Sequence, residues 1–232
     1  MSTPRNSRAI DLVIFDCDGV LVDSEVIASR AVAETLQAIG HAIAPEWVAE
    51  RFAGMSNKDM YALLEREFGT LPTAFDAAMN RRAAAIFARE LKAMAGVEAV
   101  LAGLTMRACV ASSSTPEGLA RKLEWTGLAG WFTDAVFSTA AVARGKPAPD
   151  IFLHVAKRLG VAPARALVIE DSLPGIAAAK AAGMTVFGFT GGSHCRPGHG
   201  ERLAAAGAER VFAEMSLLPE LIAQRNATFT TS

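Results

Sequence analysis

The sequence predicts an α/β protein: a doubly wound parallel sheet forms the core, and a helical domain is inserted after the first strand. Two observations predict this class. Short apolar, β-branched runs alternate with longer segments whose apolar residues recur at helical spacing. One long segment, 25–95, contains no convincing strand. At 232 residues, of which 51% are hydrophobic, the chain is long enough for one such core with an insertion.

Five runs are predicted as strands because they are apolar throughout, as strands covered on both faces are. They are 12–15 (LVIF), 107–112 (RACVAS), 135–138 (AVFS), 166–170 (ALVIE) and 186–190 (VFGFT). Helical spacing predicts helices between them, over 116–128, 149–160 and 174–183, and glycines mark their ends. The last residues, 224–232, are predicted to be a frayed tail.

The inserted segment is predicted to be helical because its apolar residues recur on one face of each run. Three helical runs are expected, over 26–40, 56–69 and 75–94. Val32, Leu36 and Ile39 share a face of the first run, and Ser56 with Asp59 fits a capping box at the start of the second. The predicted core domain is therefore 1–24 with 96–232, and the helical domain is 25–95.

Composition narrows the class of partner. The formal charge of −1 and the pI near 6.4 leave no basic stripe, so no nucleic-acid partner is expected. No apolar run is long enough to cross a membrane and the N-terminus has no secretory pattern, so we expect a cytoplasmic protein with no membrane partner. No obligate protein partner is evident. Cys17, Cys109 and Cys195 form no C-x-x-C pair, which fits a reducing compartment, and the first two are predicted to be small buried thiols.

Polar side chains follow several of the predicted strands. Asp16 and Asp18 come directly after the first strand, Ser112 ends the second, and Glu170 with Asp171 ends the fourth. Lys146 precedes a helical run. Because ligands bind outside the carboxyl ends of parallel strands, we expect these residues to converge there.

Three carboxylates at one edge need a cation to coexist ionised, since two charges about 4 Å apart repel by roughly 4 kcal/mol at an effective dielectric of 20. An all-oxygen set without His or Cys favours Mg²⁺, which often also binds a substrate phosphate. A phosphoryl group there would meet Ser112 and Lys146. One carboxylate can then attack phosphorus, and a second, two residues on, can transfer the proton.

Structural alternatives stay open for each residue at this stage. Asp16 and Asp18 could be ordinary turn formers. Glu170 and Asp171 could cap the helix that follows them, and any serine of the run 112–114 could cap the helix at Pro116. The joint pattern favours function, because a turn-former interpretation predicts nothing at Lys146 or Glu170.

Four ordered segments, DCDGVLVDSE, VASSS, GKPAPDIF and VIEDSLPGIAAAKAAGM, resemble the haloacid dehalogenase superfamily of phosphotransferases, in particular its β-phosphoglucomutase-like branch. The resemblance covers residues 11–190. It implies a Rossmann-like core, a helical cap over 25–95, and Mg²⁺ as cofactor. It further implies that Asp16 is the nucleophile and Asp18 the acid/base. Phosphate binding is implied for Ser112, Ser113 and Lys146. Metal binding is implied for Asp16, Glu170, Asp171 and the backbone carbonyl of Asp18.

The resemblance also indicates the reaction type. Dehalogenases of the superfamily typically lack an aspartate at the position of Asp18, so this chain resembles the phosphatases and phosphomutases. Where the mutases typically carry a cap arginine and a cap histidine, this chain has Asn57 followed by Lys58, and Ala28. We therefore predict hydrolysis of a small phosphorylated metabolite, a sugar or sugar acid; a phosphosugar mutase is the alternative, and a non-catalytic binding module is a third.

Substrate contacts from the cap are predicted at Ser24, Asn57 and Lys58, with Arg51 as a further cation. The stretch GGSHCRPGHG places His194, Cys195 and His199 close together in sequence. It offers no C-x-x-C pair and its Gly and Pro content predicts a mobile loop, so the sequence favours substrate contact or solvation over a zinc site there.

Overall fold

A computed structural model describes residues 9–52 and 57–228 and has a six-stranded, all-parallel sheet at its centre. The strands are β1 (Leu12–Phe15), β2 (Arg107–Ser112), β3 (Val136–Ser138), β4 (Ala166–Glu170), β5 (Thr185–Phe189) and β6 (Arg210–Phe212). Their order is β3-β2-β1-β4-β5-β6, so the direction of winding reverses between β1 and β4. The predicted doubly wound α/β class is confirmed.

Two apolar clusters cover the two faces of the sheet, because successive strand residues point to opposite sides. Val13 and Phe15 belong to one cluster, and Leu12 and Ile14 belong to the other. All four are fully buried. This is why the strands read as unbroken apolar runs. Cys17 and Cys109 are buried free thiols, as predicted.

The helices that pack on the sheet follow the predicted alternation. They are α5 (Val97–Gly103), α6 (Pro116–Trp125), α7 (Asp150–Leu159), α8 (Leu173–Ala181), α9 (His199–Ala206) and α10 (Leu218–Thr228). The predictions for α6, α7 and α8 are confirmed within a few residues. Sequence patterns did not reveal α5, α9, β6 or most of α10, which are short or weakly amphipathic.

The prediction of a frayed tail from residue 224 is wrong over 224–228. These residues end α10, and the Arg225 side chain is buried and donates a hydrogen bond to Thr185 Oγ1 at 2.8 Å. An arginine that pairs with the sheet can be buried in a helix that otherwise reads as polar. Residues 229–232 lie outside the described part of the chain.

The segment between β1 and α5 is helical. It comprises α1 (Glu25–Ala38), α2 (Pro45–Phe52), α3 (Asn57–Phe68) and α4 (Phe75–Glu90). These helices enclose a separate apolar cluster that includes Val32, Leu36 and Leu64. The sequence did not indicate α2, and the predicted capping residue Ser56 lies outside the described residues.

The chain returns to the sheet earlier than the helical pattern predicts. The prediction that the third run continues to residue 94 is wrong, because the helix ends at Glu90. Leu91 and Met94 are buried against the core cluster, and the Met94 amide donates to the Leu21 carbonyl at 2.8 Å. Leu91 and Met94 are apolar because they pack against the core, and their spacing happens to continue that of the preceding helix. The pattern therefore predicted a longer helix than the chain forms. Within the described ranges, no helix is long and apolar enough to cross a bilayer.

Candidate active site

Three neighbouring strands deliver polar side chains to one edge of the sheet. Asp16 follows β1, Ser112 ends β2 and Glu170 ends β4, and β1 lies between the other two. The Asp16 amide donates to the Ile169 carbonyl at 3.0 Å, which extends the strand pairing to the base of the site. The edge lies where the winding reverses, which is the usual ligand crevice of such sheets.

Asp16, Glu170 and Asp171 form a compact carboxylate cluster. One carboxylate oxygen from each lies within 4.8 Å of the others, and all three residues are buried. Burial raises the pKa of Asp16 well above its usual range, and the neighbouring carboxylates add to this, while the positive charge of Lys146 opposes it. Such a cluster is costly without a cation, and oxygen donors alone are the set that suits Mg²⁺, Ca²⁺ or Mn²⁺.

Lys146 lies among these carboxylates. Its Nζ donates to Asp16 Oδ1 at 2.8 Å, to the Ala111 carbonyl at 3.1 Å and to Glu170 Oε1. Burial alone would lower the pKa of the amine, but the charges of Asp16 and Glu170 outweigh it and raise that pKa. The lysine is therefore a charged group that partly neutralises the cluster. The sequence predicted Lys146 at the site as a phosphate ligand, without these carboxylate contacts.

Two glycines make room for the carboxylates. A Cβ at Gly175, near the start of α8, would lie 1.9–2.2 Å from the Glu170 carboxylate. Gly19, in the turn after Asp18, has φ +74, and a Cβ there would lie 1.9 Å from Asp171 Oδ2. No side chain fits at either position without moving a carboxylate, and Gly19 also needs the left-handed backbone that glycine favours.

Asp18 is separate from this cluster and has its own partners. Its carboxylate accepts hydrogen bonds from Ser24 Oγ, from Ser114 Oγ at 2.7 Å and from Lys122 Nζ. Burial would raise the pKa of Asp18, but the charge of Lys122 and the three hydrogen bonds outweigh burial and lower it. The second aspartate is therefore held as a carboxylate.

Lys122 was not predicted as a site residue from the sequence, and Ser24 was predicted to contact the substrate. Lys122 lies in α6 and is far from Asp18 in sequence, so no local motif connects them. Ser24 is buried and donates to Asp18. Asn57 and Lys58 begin α3, but their side chains lie outside the described part, and Arg51 is an exposed residue that pairs with Glu67 and stacks over Trp47.

The N-termini of α6 and α8 are capped by residues that the sequence did not indicate as caps. Thr115 caps α6 by accepting from the Gly118 amide, and Ser172 caps α8 by accepting from the Gly175 amide. Ser112 is buried and its Oγ accepts from the Ser114 amide at 3.0 Å, whereas Ser113 is exposed. The capping alternatives for Ser112, Glu170 and Asp171 are therefore wrong.

Glu25, the first residue of α1, is a further acidic group of this region that the sequence did not indicate. Burial raises its pKa to about 7, and the negative charges of Asp18 and Asp171 contribute. It directly follows Ser24, whose side chain donates to Asp18.

We expect Glu25 to make the metal-free protein less stable as the pH rises. The unfolded state releases the Glu25 proton near pH 4.5 and the folded state keeps it to about pH 7, so stability falls through this window. The unfolding midpoints of Glu25→Gln and the wild type are compared in EDTA. Between pH 5 and pH 8, the midpoint of the variant relative to that of the wild type should rise by roughly 3–6 °C. Glu34→Gln, on the exposed face of α1, is the control, and its unfolding midpoint should differ from that of the wild type by the same amount at every pH. If the midpoint of Glu25→Gln also differs from that of the wild type by the same amount at every pH, the raised pKa of Glu25 is contradicted.

Comparison with known proteins places this architecture in a family. A model of haloacid dehalogenase-like hydrolases matches residues 10–183, a range that contains Asp16, Asp18, Ser112, Lys146, Glu170 and Asp171. The chain belongs to the haloacid dehalogenase-like hydrolase family. The predicted resemblance is confirmed, and the protein is an enzyme of the phosphatase type within this family.

Individual members of the haloacid dehalogenase-like family are similar over nearly the whole chain. The 6-phosphogluconate phosphatase of Escherichia coli K12 is 33% identical over 214 residues, covering 91% of this chain and 94% of that protein. A conserved haloacid dehalogenase-like protein of unknown function from Agrobacterium tumefaciens is 42% identical with a TM-score of 0.85, covering 94% and 99%. A family hydrolase from Deinococcus radiodurans, solved with bound phosphate and sodium, is 31% identical with a TM-score of 0.79, covering 94% and 96%.

Proposed function

We propose that this enzyme is a Mg²⁺-dependent phosphomonoesterase that hydrolyses a small phosphorylated sugar or sugar acid through an aspartyl-phosphate intermediate on Asp16. The observation that carries the proposal is the buried set of Asp16, Glu170 and Asp171 around Lys146 at the carboxyl edge of β1 and β4. Lys146, with His194 beside Asp171, does not make three buried carboxylates a stabilising arrangement by itself. A divalent cation would neutralise the remaining negative charge, and an anionic phosphoryl group would then bind beside it.

The residues present fit a hard divalent cation. Asp16, Glu170 and Asp171 would hold it, with the backbone carbonyl of Asp18 as a further ligand, and all of these donors are oxygens. When bound, Mg²⁺ supplies positive charge that neutralises the carboxylates and withdraws electrons from the phosphoryl oxygens. Ser112, Ser113 and Lys146 are the proposed phosphate ligands.

The two aspartates divide the chemistry between them. A carboxylate oxygen of Asp16 attacks phosphorus, and the bond from phosphorus to the leaving oxygen breaks as Asp18 gives that oxygen a proton. Asp18 then takes a proton from water, whose oxygen attacks phosphorus and breaks the bond to Asp16. The charge of Lys122 lowers the pKa of Asp18 and so favours the carboxylate form, which takes the proton from water in the second step.

The helical segment 25–95 is the proposed cap that selects the substrate, with Asn57 and Lys58 as predicted contacts. Ser24 joins the first cap helix to the acid/base through its hydrogen bond to Asp18. The similarity to a 6-phosphogluconate phosphatase over 91% of the chain supports a sugar-acid phosphate as the substrate class. A cap that closes over the site would also exclude bulk water from the acylphosphate.

The test is a phosphate-release screen over several dozen phosphorylated metabolites with Mg²⁺, which includes 6-phosphogluconate and hexose phosphates. We expect release from sugar or sugar-acid phosphates, and loss of release on addition of EDTA. Absence of release from every compound would overturn the proposal in favour of a binding module. Conversion of β-glucose 1-phosphate with a trace of its bisphosphate into glucose 6-phosphate, without free phosphate, would instead establish a mutase.

A further inference from the structure

A second group of potential metal ligands lies beside the carboxylate cluster. His194 and Cys195 belong to the loop between β5 and α9, and His199 is the first residue of α9. One donor atom from each of the three lies within 4.8 Å of the others. The sequence favoured substrate contact or solvation over zinc, because this stretch has no C-x-x-C pair and is rich in Gly and Pro. The structure brings His199, at the start of α9, close to the other two side chains.

The separation of the first two donor atoms matches a tetrahedral zinc site. Cys195 Sγ lies 3.5 Å from His194 Nε2. Zinc bonds of about 2.3 Å to sulfur and about 2.0 Å to nitrogen, at the tetrahedral angle, put those two ligand atoms about 3.5 Å apart. These two atoms are therefore spaced as two ligands of one tetrahedral ion are.

His199 is oriented by a contact of the kind that supports metal-bound histidines. Its Nε2 lies 2.6 Å from the Asp171 carbonyl, which can only accept, so this nitrogen carries the proton. Nδ1 is then the lone-pair atom, and its partner is the Arg202 guanidinium at 3.2 Å on the exposed side. A ligand histidine commonly donates its other N–H to a carbonyl or carboxylate in this way. A cation bound through Nδ1 would replace the contact with Arg202.

Asp171 is available as a fourth ligand. Its Oδ2 lies 3.1 Å from the same Nε2 of His194, and both side chains are only 7% exposed. The other ring nitrogen of His194, Nδ1, is buried without a hydrogen-bond partner among the described residues. The imidazole contacts its neighbours through Nε2 alone, and a cation bound there would replace the proton that Nε2 donates to Asp171.

We propose that His194, Cys195, His199 and Asp171 form a second metal site, for a thiophilic divalent cation such as Zn²⁺. A thiolate with two imidazoles selects Zn²⁺ over Mg²⁺, whereas the neighbouring all-oxygen cluster has the opposite preference. Because Asp171 belongs to both sets, occupancy of the second site draws this carboxylate away from the first. Zn²⁺ is therefore an inhibitor of the hydrolysis, a consequence that rests on the proposed function.

The site itself is tested without any activity measurement. Co²⁺ is titrated into the full-length protein with and without Mg²⁺, and Mg²⁺ should weaken Co²⁺ binding because both sites need Asp171. We expect one equivalent of Co²⁺ to bind with near-ultraviolet thiolate-to-cobalt absorption, and Zn²⁺ to displace it. Cys195→Ser should abolish this absorption, and His199→Gln should weaken Zn²⁺ binding by at least about tenfold. Cys109→Ala and His154→Gln are the matched controls and should bind as the wild type does.

The outcomes separate this site from the carboxylate cluster. Co²⁺ binding without thiolate absorption, or absorption that persists in Cys195→Ser, would overturn the proposal. With Mg²⁺ saturating, the Zn²⁺ concentration for half inhibition should rise about tenfold or more in Cys195→Ser and His199→Gln. Unchanged Zn²⁺ inhibition in a folded Cys195→Ser variant would contradict the shared role of Asp171, whatever substrate the enzyme takes.

Discussion

Asp16→Asn is expected to lower kcat by about 10⁴-fold or more. The amide keeps the size of the side chain and an oxygen that can accept from Lys146 Nζ, which lies 2.8 Å from Asp16 Oδ1. It removes the negative charge that attacks phosphorus and one ligand of the proposed metal site. The measurement is steady-state phosphate release, together with acid-quenched mass spectrometry of the peptide 9–30 for a covalent phosphate. The variant should carry none.

The same substitution should leave the protein folded. Burial and the neighbouring carboxylates disfavour the ionised form of Asp16 more than Lys146 favours it, so a neutral amide should be tolerated in the metal-free state. With EDTA the unfolding midpoint of Asp16→Asn should equal or exceed that of the wild type, and Mg²⁺ should raise it less. Asp150→Asn, which disrupts the surface pair with Arg144, is the control and should keep full activity. Retained turnover in folded Asp16→Asn would refute covalent catalysis at this residue.

Lys146→Met is expected to lower both stability and turnover. Its side chain is 5% exposed and its ammonium contacts Asp16 and Glu170, so its removal leaves buried carboxylates without their cation. Loss of one partner of a buried ion pair typically costs about 3–5 kcal/mol of unfolding free energy. Without Lys146 the phosphoryl group also loses a positive ligand, and we expect kcat/KM to fall by about 10²–10³-fold. Chemical denaturation in EDTA measures the change in unfolding free energy, and phosphate release with Mg²⁺ measures the change in kcat/KM.

Magnesium should distinguish an electrostatic role for Lys146 from mere packing. A more negative cluster binds a cation more tightly, so Mg²⁺ should raise the unfolding midpoint of Lys146→Met more than that of the wild type. Lys157→Met, on the exposed face of α7, serves as the matched control and should change neither quantity. If Mg²⁺ stabilises Lys146→Met no more than the wild type, the lysine does not act by balancing the carboxylates.

Sequence patterns predicted the parts of this enzyme that depend on short-range signals. Unbroken apolar runs located β1, β2 and β4, and the rule that ligands bind at the carboxyl ends of parallel strands brought Asp16, Glu170 and Asp171 together. Five of the six strands were found within one residue. The missed strand, β6, has three residues, of which only Phe212 is buried, so it carries no periodic signal.

The sequence did not indicate residues whose role arises only from tertiary contact. Lys122 reads as an ordinary basic residue of an amphipathic helix, yet it faces Asp18 from α6. Glu25 reads as an acidic residue in a first helical turn, where it would be favourable without any site. His194 reads as part of a Gly- and Pro-rich loop, although its side chain is buried against Asp171. In each case a favourable local explanation hides the long-range contact.

The central position of β1 has a consequence for how the enzyme is made. Leu12 lies opposite Arg107 on one side and Ala166 on the other, so the strand that carries the nucleophile pairs only with segments synthesised much later. Such non-local pairing is slow, and a nascent chain folds from its N-terminus as it leaves the ribosome. During translation the helical segment can therefore collapse first, while the reactive carboxylates stay apart until most of the polypeptide has emerged.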